Sequence, residues 1–469
     1  MKKHVLLIAL AAGFFAACKK DNAPSQEDRG LSAGTVVTPC TGTATAFLPS
    51  VISGNRTLFN DTIYILDQKC WVKNGTLTIE PGTVIKGNKK TTAADATALI
   101  ITRDASINAV GTTSCPIIFT SNVAVPAPGD WGGLVIMGDA PVSTPSGEAQ
   151  IEGIDPLGVP AGVDYLYGGA AASDNSGSLR YVRVEYAGAV IEEGNELNGI
   201  TLGGVGCGTT IDHLAILYGA DDGLEIFGGN VNIKYVLSAA NNDDQFDFDY
   251  GYKGAIQFAV AIIDRGVVYA PNNSNGIECD GGLVSNFRTR PLLSNFTIMG
   301  PENCTVSTAN QLLNAARFRV DTRFVVRNSI FANYPTGIRL DDAGTIAAFS
   351  NSNANYCSTD TTKSFFFDNI VSTCNSANAF VNMTPHSSTV YTTEALIELV
   401  DPTPASFADY FNGGAIPLYP ANAPAVGGTE FCGLGPVKCT FAFDSNDLKG
   451  GAVDPAGNYW LAESWVTVK

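Results

Sequence analysis

The chain has few basic residues, almost no histidine or methionine, and no apolar run long enough for a membrane-spanning helix. Lys+Arg number 28 against 45 Asp+Glu, a formal charge of −17. That balance disfavours nucleic acid, because binding to a phosphate backbone rests on basic side chains. Cations and neutral sugars stay compatible with it. Only 3 His and 4 Met occur. No HExxH, GxSxG or GxxxxGK[ST] motif is found, which sets aside zinc-protease, serine-esterase and phosphate-loop chemistry. No CxxC pair is found either, so a metal–thiolate cluster lacks its usual spacing and disulfides are the better reading of the cysteines. Past the N-terminus, no stretch approaches the length that a transmembrane helix needs.

What is present points to β-structure. Hydrophobic residues make up 45% and charged residues 16%, enough apolar material for a sizeable core. With 49 Gly, 24 Phe and 16 Tyr, the chain reads as short strands joined by tight turns, not as helices. The middle also repeats itself. Residues 211–229 (IDHLAILYGADDGLEIFGG) align with residues 233–251 (IKYVLSAANNDDQFDFDYG) at an offset of 22, which lays Asp221–Asp222 over Asp243–Asp244, Leu224 over Phe246, Glu225 over Asp247 and Ile226 over Phe248. Related segments recur at residues 198–204, 274–282, 315–320 and 336–342. A repeat of this length, rich in Gly, Asn and Asp turns, is expected of a parallel β-solenoid, where one coil cannot bury its apolar face alone. Gly-rich strings such as residues 202–208 then read as coil turns.

The N-terminus reads as an export signal: Lys2 and Lys3, then the apolar run Val5 to Phe15, then Ala16 and Ala17. Cys18 follows in FAAC, which resembles a bacterial lipobox whose cysteine carries the lipid. The KKDN that comes next is similar to the start of outer-membrane lipoproteins, and residues 19–36 suit a flexible tether. The expected organisation is a lipoprotein signal at 1–17, a lipid-anchored tether and N-terminal cap at 18–59, coils at 60–385 with an insertion near 143–178, and a C-terminal cap at 386–469. The cap carries a helix at Thr392–Val400, with Trp460 and Trp465 plugging the open end. Ten cysteines remain beside Cys18 in an oxidising compartment. Cys432 with Cys439 and Cys357 with Cys374 are the pairs close in sequence, and the partners of Cys40, Cys70, Cys115, Cys207, Cys279 and Cys304 stay open.

The segments LTIEPGTVIKG, GDWGGLVIMGDAPV, SGSLRYVRVEYAG, LNGITLGGVGCGTTIDH, DDGLEIFGG and DDQFDFDYGYKGAIQFAV, spread over residues 77–260, resemble a family of bacterial outer-membrane and surface lipoproteins. The resemblance implies an all-β fold, a right-handed parallel β-helix, and display at the outer membrane. Some members of that family carry a transporter label, yet a solenoid held by one lipid offers no route across a bilayer.

Alternation along the strands places Glu225, Phe227, Asp247, Asp249, Glu278 and Asp280 outside the core. One outward ladder then reads Thr201, Glu225, Asp247, Glu278, Arg317, Arg339, and the other Gly203, Phe227, Asp249, Asp280, Arg319, Asp341. Carboxylates stacked at the ~4.8 Å strand spacing repel one another and need compensation. Calcium is one answer, with Asp221, Asp222, Glu225, Asp243, Asp244, Asp247 and Glu278 as candidate ligands and Asn241 and Asn242 beside them. Pairing of Arg317 and Arg319 with Glu278 and Asp280 is the other. Asn and Asp also favour tight turns without any ligand.

Such ladders resemble the sites of polysaccharide lyases and hydrolases built on this fold. That resemblance would make Glu225, Asp247 and Asp249 the catalytic carboxylates and Arg317 or Arg339 the base. Phe227, Tyr250 and Asp280 would contact the sugar. The motif blocks of the polygalacturonase-like hydrolases are missing, and His213 reads as structural. The sequence predicts a non-catalytic, lipid-anchored cell-surface protein that binds a glycan or another surface component through its acidic face, with calcium. A lyase or glycoside hydrolase on the same fold is the enzyme alternative, and a structural subunit of an outer-membrane assembly is the third. The enzyme needs carboxylates and base in an open groove; a spacer needs Glu225 and Asp247 paired or covered.

Overall fold

Leu224 and Ile226 alternate with Glu225 and Phe227 along the strand Leu224–Phe227. Burying one side of such a strand calls for a stack of like strands, and the stack forms. Leu224 pairs with Phe246, Glu225 with Asp247 and Ile226 with Phe248, all in parallel register. The inward column runs through Leu202, Ile226, Phe248, Cys279, Phe318 and Leu340 in successive coils, and every member is fully buried. The fold is an all-β parallel β-helix. The computed structural model describes residues 40–192, 194–264, 274–300, 312–350, 358–374, 376–385, 390–391, 439–445 and 448–466. The chain divides into Met1–Thr38 and Pro39–Lys469, and all described residues lie in the second unit. The signal, Cys18, the Thr392–Val400 helix, Cys357 and Cys432 lie outside them.

Among the described residues the coils form two large sheets, and an 11-stranded parallel one carries the ladders, from Val51–Ser53 to Phe380–Val381. A 17-stranded sheet forms the other faces of the coils. Its central strands Gly177–Glu185, Thr210–Leu217, Asn232–Ala239, Ala255–Ile262 and Leu292–Met299 each bend at a residue of positive φ, namely Tyr181, His213, Tyr235, Phe258 and Asn295. Left-handed backbone is costly for bulky side chains. Stacking offsets that cost at this corner, with ring centroids 4.3 Å apart for Tyr181–His213, 4.6 Å for His213–Tyr235 and 5.0 Å for Tyr235–Phe258.

Parallel pairing starts ahead of residue 60, since Ala44–Phe47 already pairs with Thr62–Leu66, and it reaches Val390–Tyr391. Trp460 and Trp465 do not plug the open end. With Ala452, Leu461 and Val466 they lie on the outward side chains of the long strands, among them Ala215, Leu217, Leu237, Ala239, Val260 and Ile262. Those strands are apolar on both faces, so they need cover on both. The expected Cys432–Cys439 bond is not made, because Cys439 joins Cys207 and ties this C-terminal segment to the coils. Cys40 joins Cys115, Cys374 is also disulfide-bonded, and Cys70 and Cys279 are free thiols buried in the core.

Candidate functional site

Register assembles one outward column with a single residue per coil: Val51, Trp71, Ile100, Val135, Thr201, Glu225, Asp247, Glu278, Arg317, Arg339, Val381. It passes from an apolar stretch through an acidic one to a basic one. The neighbouring column brings Gly203, Phe227 and Asp249 together, and pairs Asp280 with Arg319. Spacing varies along the way: the Asp247–Glu278 and Glu278–Arg317 steps contain longer loops than the Glu225–Asp247 step.

The insertion lies across these columns. Val142, Ile151, Ile154, Val163 and Tyr167 pack with Ile100, Val135 and Phe227. The Tyr167 ring stands 6.1 Å from Phe227, and Tyr250 lies 5.6 Å away on the same residue. Ser143 N donates to Tyr250 O at 2.6 Å, and Leu283 N donates to Ser143 O at 2.9 Å. Phe227 is therefore only 2% exposed, so the expected sugar platform is core to the insertion. Tyr250 is half-buried in the same stack.

In the basic stretch every candidate base is engaged. Arg317 bridges Glu278 at 3.3 Å and Asp341 at 2.7 Å. Arg319 holds Glu278 at 2.7 Å and Asp280 at 2.6 Å, and Arg339 binds Asp341. Against its burial, Arg339 and Arg317 keep the Asp341 carboxyl below its ordinary value. Arginines so paired act as charge partners of the carboxylates, the second of the two compensations expected for the ladder. Burial pushes Glu278 up to about 7, with Arg319 and Arg317 opposing. His213 sits on the other sheet, its Nδ1 2.6 Å from Asp212 Oδ1.

In the acidic stretch, no lysine or arginine among the described residues makes a salt bridge to Asp221, Asp222, Asp244 or Asp247. One oxygen each from Asp221, Asp222 and Asp243 lies within 4.8 Å of the others, and the same holds for Asp222, Asp244 and Asp247. Asp222 Oδ1 accepts from Asp244 N at 2.8 Å, and Asp244 Oδ1 accepts from Asn275 Nδ2 at 3.0 Å. Glu225 and Glu278 fall outside both groups: Asn198 Nδ2 donates to Glu225, and Glu278 belongs to the arginines. Desolvation first, and mutual repulsion second, push Asp221, Asp222, Glu225, Asp244 and Asp247 well above ordinary carboxylate values. Asp249 rises to about 6 through burial. Asp247 Oδ1 and Asn198 Oδ1 are buried without a hydrogen-bond partner, and Asn198 is 2% exposed. A donor set of oxygens alone, short of positive charge, suits a hard divalent cation that takes six to eight of them.

Sequence reasoning missed Glu152. It comes from the insertion, and burial, then Glu196 and Asp249, push its carboxyl up to about 7. The insertion has no periodicity, so nothing in its pattern announces that it folds back with a carboxylate toward the ladder.

Residues 50–398 match the family described as the pectate-lyase-like β-helix domain. The chain belongs to that family. No curated protein and no solved structure matches it. In this pectate-lyase-like β-helix the ladders occupy the outward face of the 11-stranded sheet, but the match ends short of both termini and says nothing of residues 1–49.

Proposed function

We propose that the protein is a non-catalytic β-helix, anchored by lipid at Cys18 and displayed on the outer-membrane surface, whose acidic seam binds calcium as a structural ion. The observation that carries this reading is the cover over the ladders. Tyr167 and its neighbours pack on Phe227 beside the acidic stretch, and the arginines that would supply a base are spent on carboxylates. The fold is compatible with a polysaccharide lyase. Lyase chemistry, however, needs carboxylates and base to meet the polymer in an open groove. Calcium would be held by Asp221, Asp222, Asp243, Asp244 and Asp247, and it would neutralise their crowding. Contact with a glycan or another surface component then falls to parts of the body that the insertion leaves open.

Calorimetric titration of calcium into the soluble body lacking residues 1–18 tests the seam. Saturable binding that disappears in Asp247→Ala with Asp249→Ala supports the ion. No heat, together with an unfolding temperature indifferent to chelator, rejects it. Membrane fractionation tests the anchor: Cys18→Ala is expected to move the protein to the soluble fraction, and unchanged sedimentation with membranes counts against a lipid.

A further inference from the structure

The successive residues 122–128 (NVAVPAP) are all exposed, and all but Asn122 are apolar. Val125 is 82% exposed and Val123 37%. The loop follows the strand Ile117–Ser121 and is held at both feet. Asp130, 2% exposed, accepts from Ser121 Oγ at 2.7 Å and from Ala127 N at 2.9 Å, and Lys89 Nζ lies 3.0 Å from its other oxygen. Asn122 N donates to Gly87 O at 2.8 Å, Val123 N to Ser121 Oγ at 3.0 Å and Gly129 N to Ala187 O at 3.2 Å. Pro126 and Pro128 have no N–H to satisfy. Only the N–H groups of Ala124 and Val125 are left without a hydrogen bond among the described residues of the loop. An apolar loop that is fixed in place and carries so few unpaired donors suits a medium that cannot hydrogen-bond.

Charge and position name that medium. Lys89 and Lys90 lie in the loop of the preceding coil, where Asn88 Oδ1 accepts from Asn122 Nδ2 at 2.7 Å, and the Lys89 side chain is 56% exposed. Lys86 stands outward in register with Thr120 and makes no salt bridge among the described residues. The same outward column begins with Phe47, which is 67% exposed. The C-terminal segment that covers this sheet further along reaches back to Thr113, whose carbonyl accepts from Ser464 Oγ at 2.6 Å. Residues 40–92, the first coils, hold six Lys and Arg against three Asp and Glu, the reverse of the balance in the whole chain. Lysines around an apolar tip complement a bilayer interface, where the tip enters the acyl boundary and the ammonium groups meet anionic headgroups. The chain also enters the body here. Cys40 is bonded to Cys115, and the strand Ile117–Ser121, about 17 Å long, separates Cys115 from the loop. The tether from Cys18 to Cys40 spans at most about 75 Å, so a lipid at Cys18 keeps the loop within reach of the bilayer. We propose that residues 122–128, with Phe47, Lys86, Lys89 and Lys90 around them, dock the body onto an anionic phospholipid bilayer. The inference rests on the reading of the protein as membrane-anchored and adds which face turns to the lipid. One loop of this size binds only weakly without the anchor.

The test uses the full lipidated chain in vesicles of phosphatidylethanolamine and phosphatidylglycerol. A polarity-sensitive fluorophore on Val125→Cys is expected to shift its emission to the blue and to resist quenching by acrylamide. The same label on Leu283→Cys, an exposed apolar position of a later coil, should stay as in water. The body lacking residues 1–18, which keeps every described strand, separates docking from the anchor. At low salt it should sediment with these vesicles, and Val123→Ser with Val125→Ser should weaken that binding about tenfold at an unchanged unfolding temperature. Lys86→Gln with Lys90→Gln, or vesicles of phosphatidylcholine alone, should weaken it comparably. Fractionation of Cys18→Ala addresses the anchor, so failure of that reading and failure of this one are told apart. A label at position 125 as open to quencher as the one at 283, or a body that does not sediment, would overturn the proposal. So would binding indifferent to the serine changes, or a label at 125 that is shielded without vesicles, which would put a second copy or another protein on the loop.

Discussion

Glu278 is 2% exposed at the junction of an acidic and a basic stretch, and the register that stacks it on Asp247 also brings Arg317 and Arg319 from the next coil. Removing one partner of a buried pair leaves the other charge without compensation, and that penalty exceeds what the pair itself contributes. Arg319→Ala is expected to destabilise the fold by about 2 kcal/mol at neutral pH. Adding Glu278→Gln should recover part of the loss, because without Arg319 the buried Glu278 keeps only Arg317, while Asp280 still lacks its partner. Urea unfolding of the single and double variants checks this, and equal losses in both would show that Arg319 acts only through packing. The neighbour relations of Glu225, Asp247 and Glu278 were legible in the sequence because a period of coil length and an alternation of two fix them. The burial of Phe227 beside them was not, because its cover, Tyr167 and Ile151, comes from residues without any period.

At the scale of elements, two irregular segments finish what the strands begin. The insertion seals the ladder face around Tyr167 and Phe227, and the C-terminal segment seals the outward face of the 17-stranded sheet around Trp460 and Trp465, whose stacked rings lie 5.7 Å apart. The second role left a trace in the sequence. Runs such as Leu214–Leu217 and Val236–Ala239 are apolar or small at nearly every position, the mark of strands buried on both sides, yet nothing local says which distant segment provides the cover. Trp465→Ala is expected to cost about 3 kcal/mol through the cavity it leaves against Tyr181 and His213. Chemical denaturation measures that loss, and limited proteolysis should show cleavage within residues 439–466 before the coils are cut. Coils and segment cleaved at the same rate would mean that the segment does not open on its own.

For the whole molecule the decisive quantity is how many protons the folded chain holds. Burial raises Asp249 to about 6 from 3.8, and Glu152 and Glu278 to about 7 from 4.5. A carboxyl whose value is higher in the folded state than in the unfolded chain stabilises the fold fully at low pH, and that contribution fades as pH rises through the folded value. In chelator the unfolding temperature should therefore fall by about 5 °C between about pH 5 and about pH 8. This is opposite to the trend set by ordinary ion-paired carboxylates. Glu152 sits on the insertion and Asp249 on the ladder beneath it, so ionisation of the two pushes apart the elements that the seam must hold together. Calcium at Asp221, Asp222, Asp243, Asp244 and Asp247 would take over the role of the protons. Excess calcium should flatten the profile at the alkaline end and leave the acid end unchanged, because protonated carboxyls are poor ligands. Scanning calorimetry across that range, with calcium and with chelator, separates the cases. A stability that rises with pH in chelator would mean that the carboxylates are compensated within the chain, and a fall that calcium does not relieve would leave the seam strained but not a cation site.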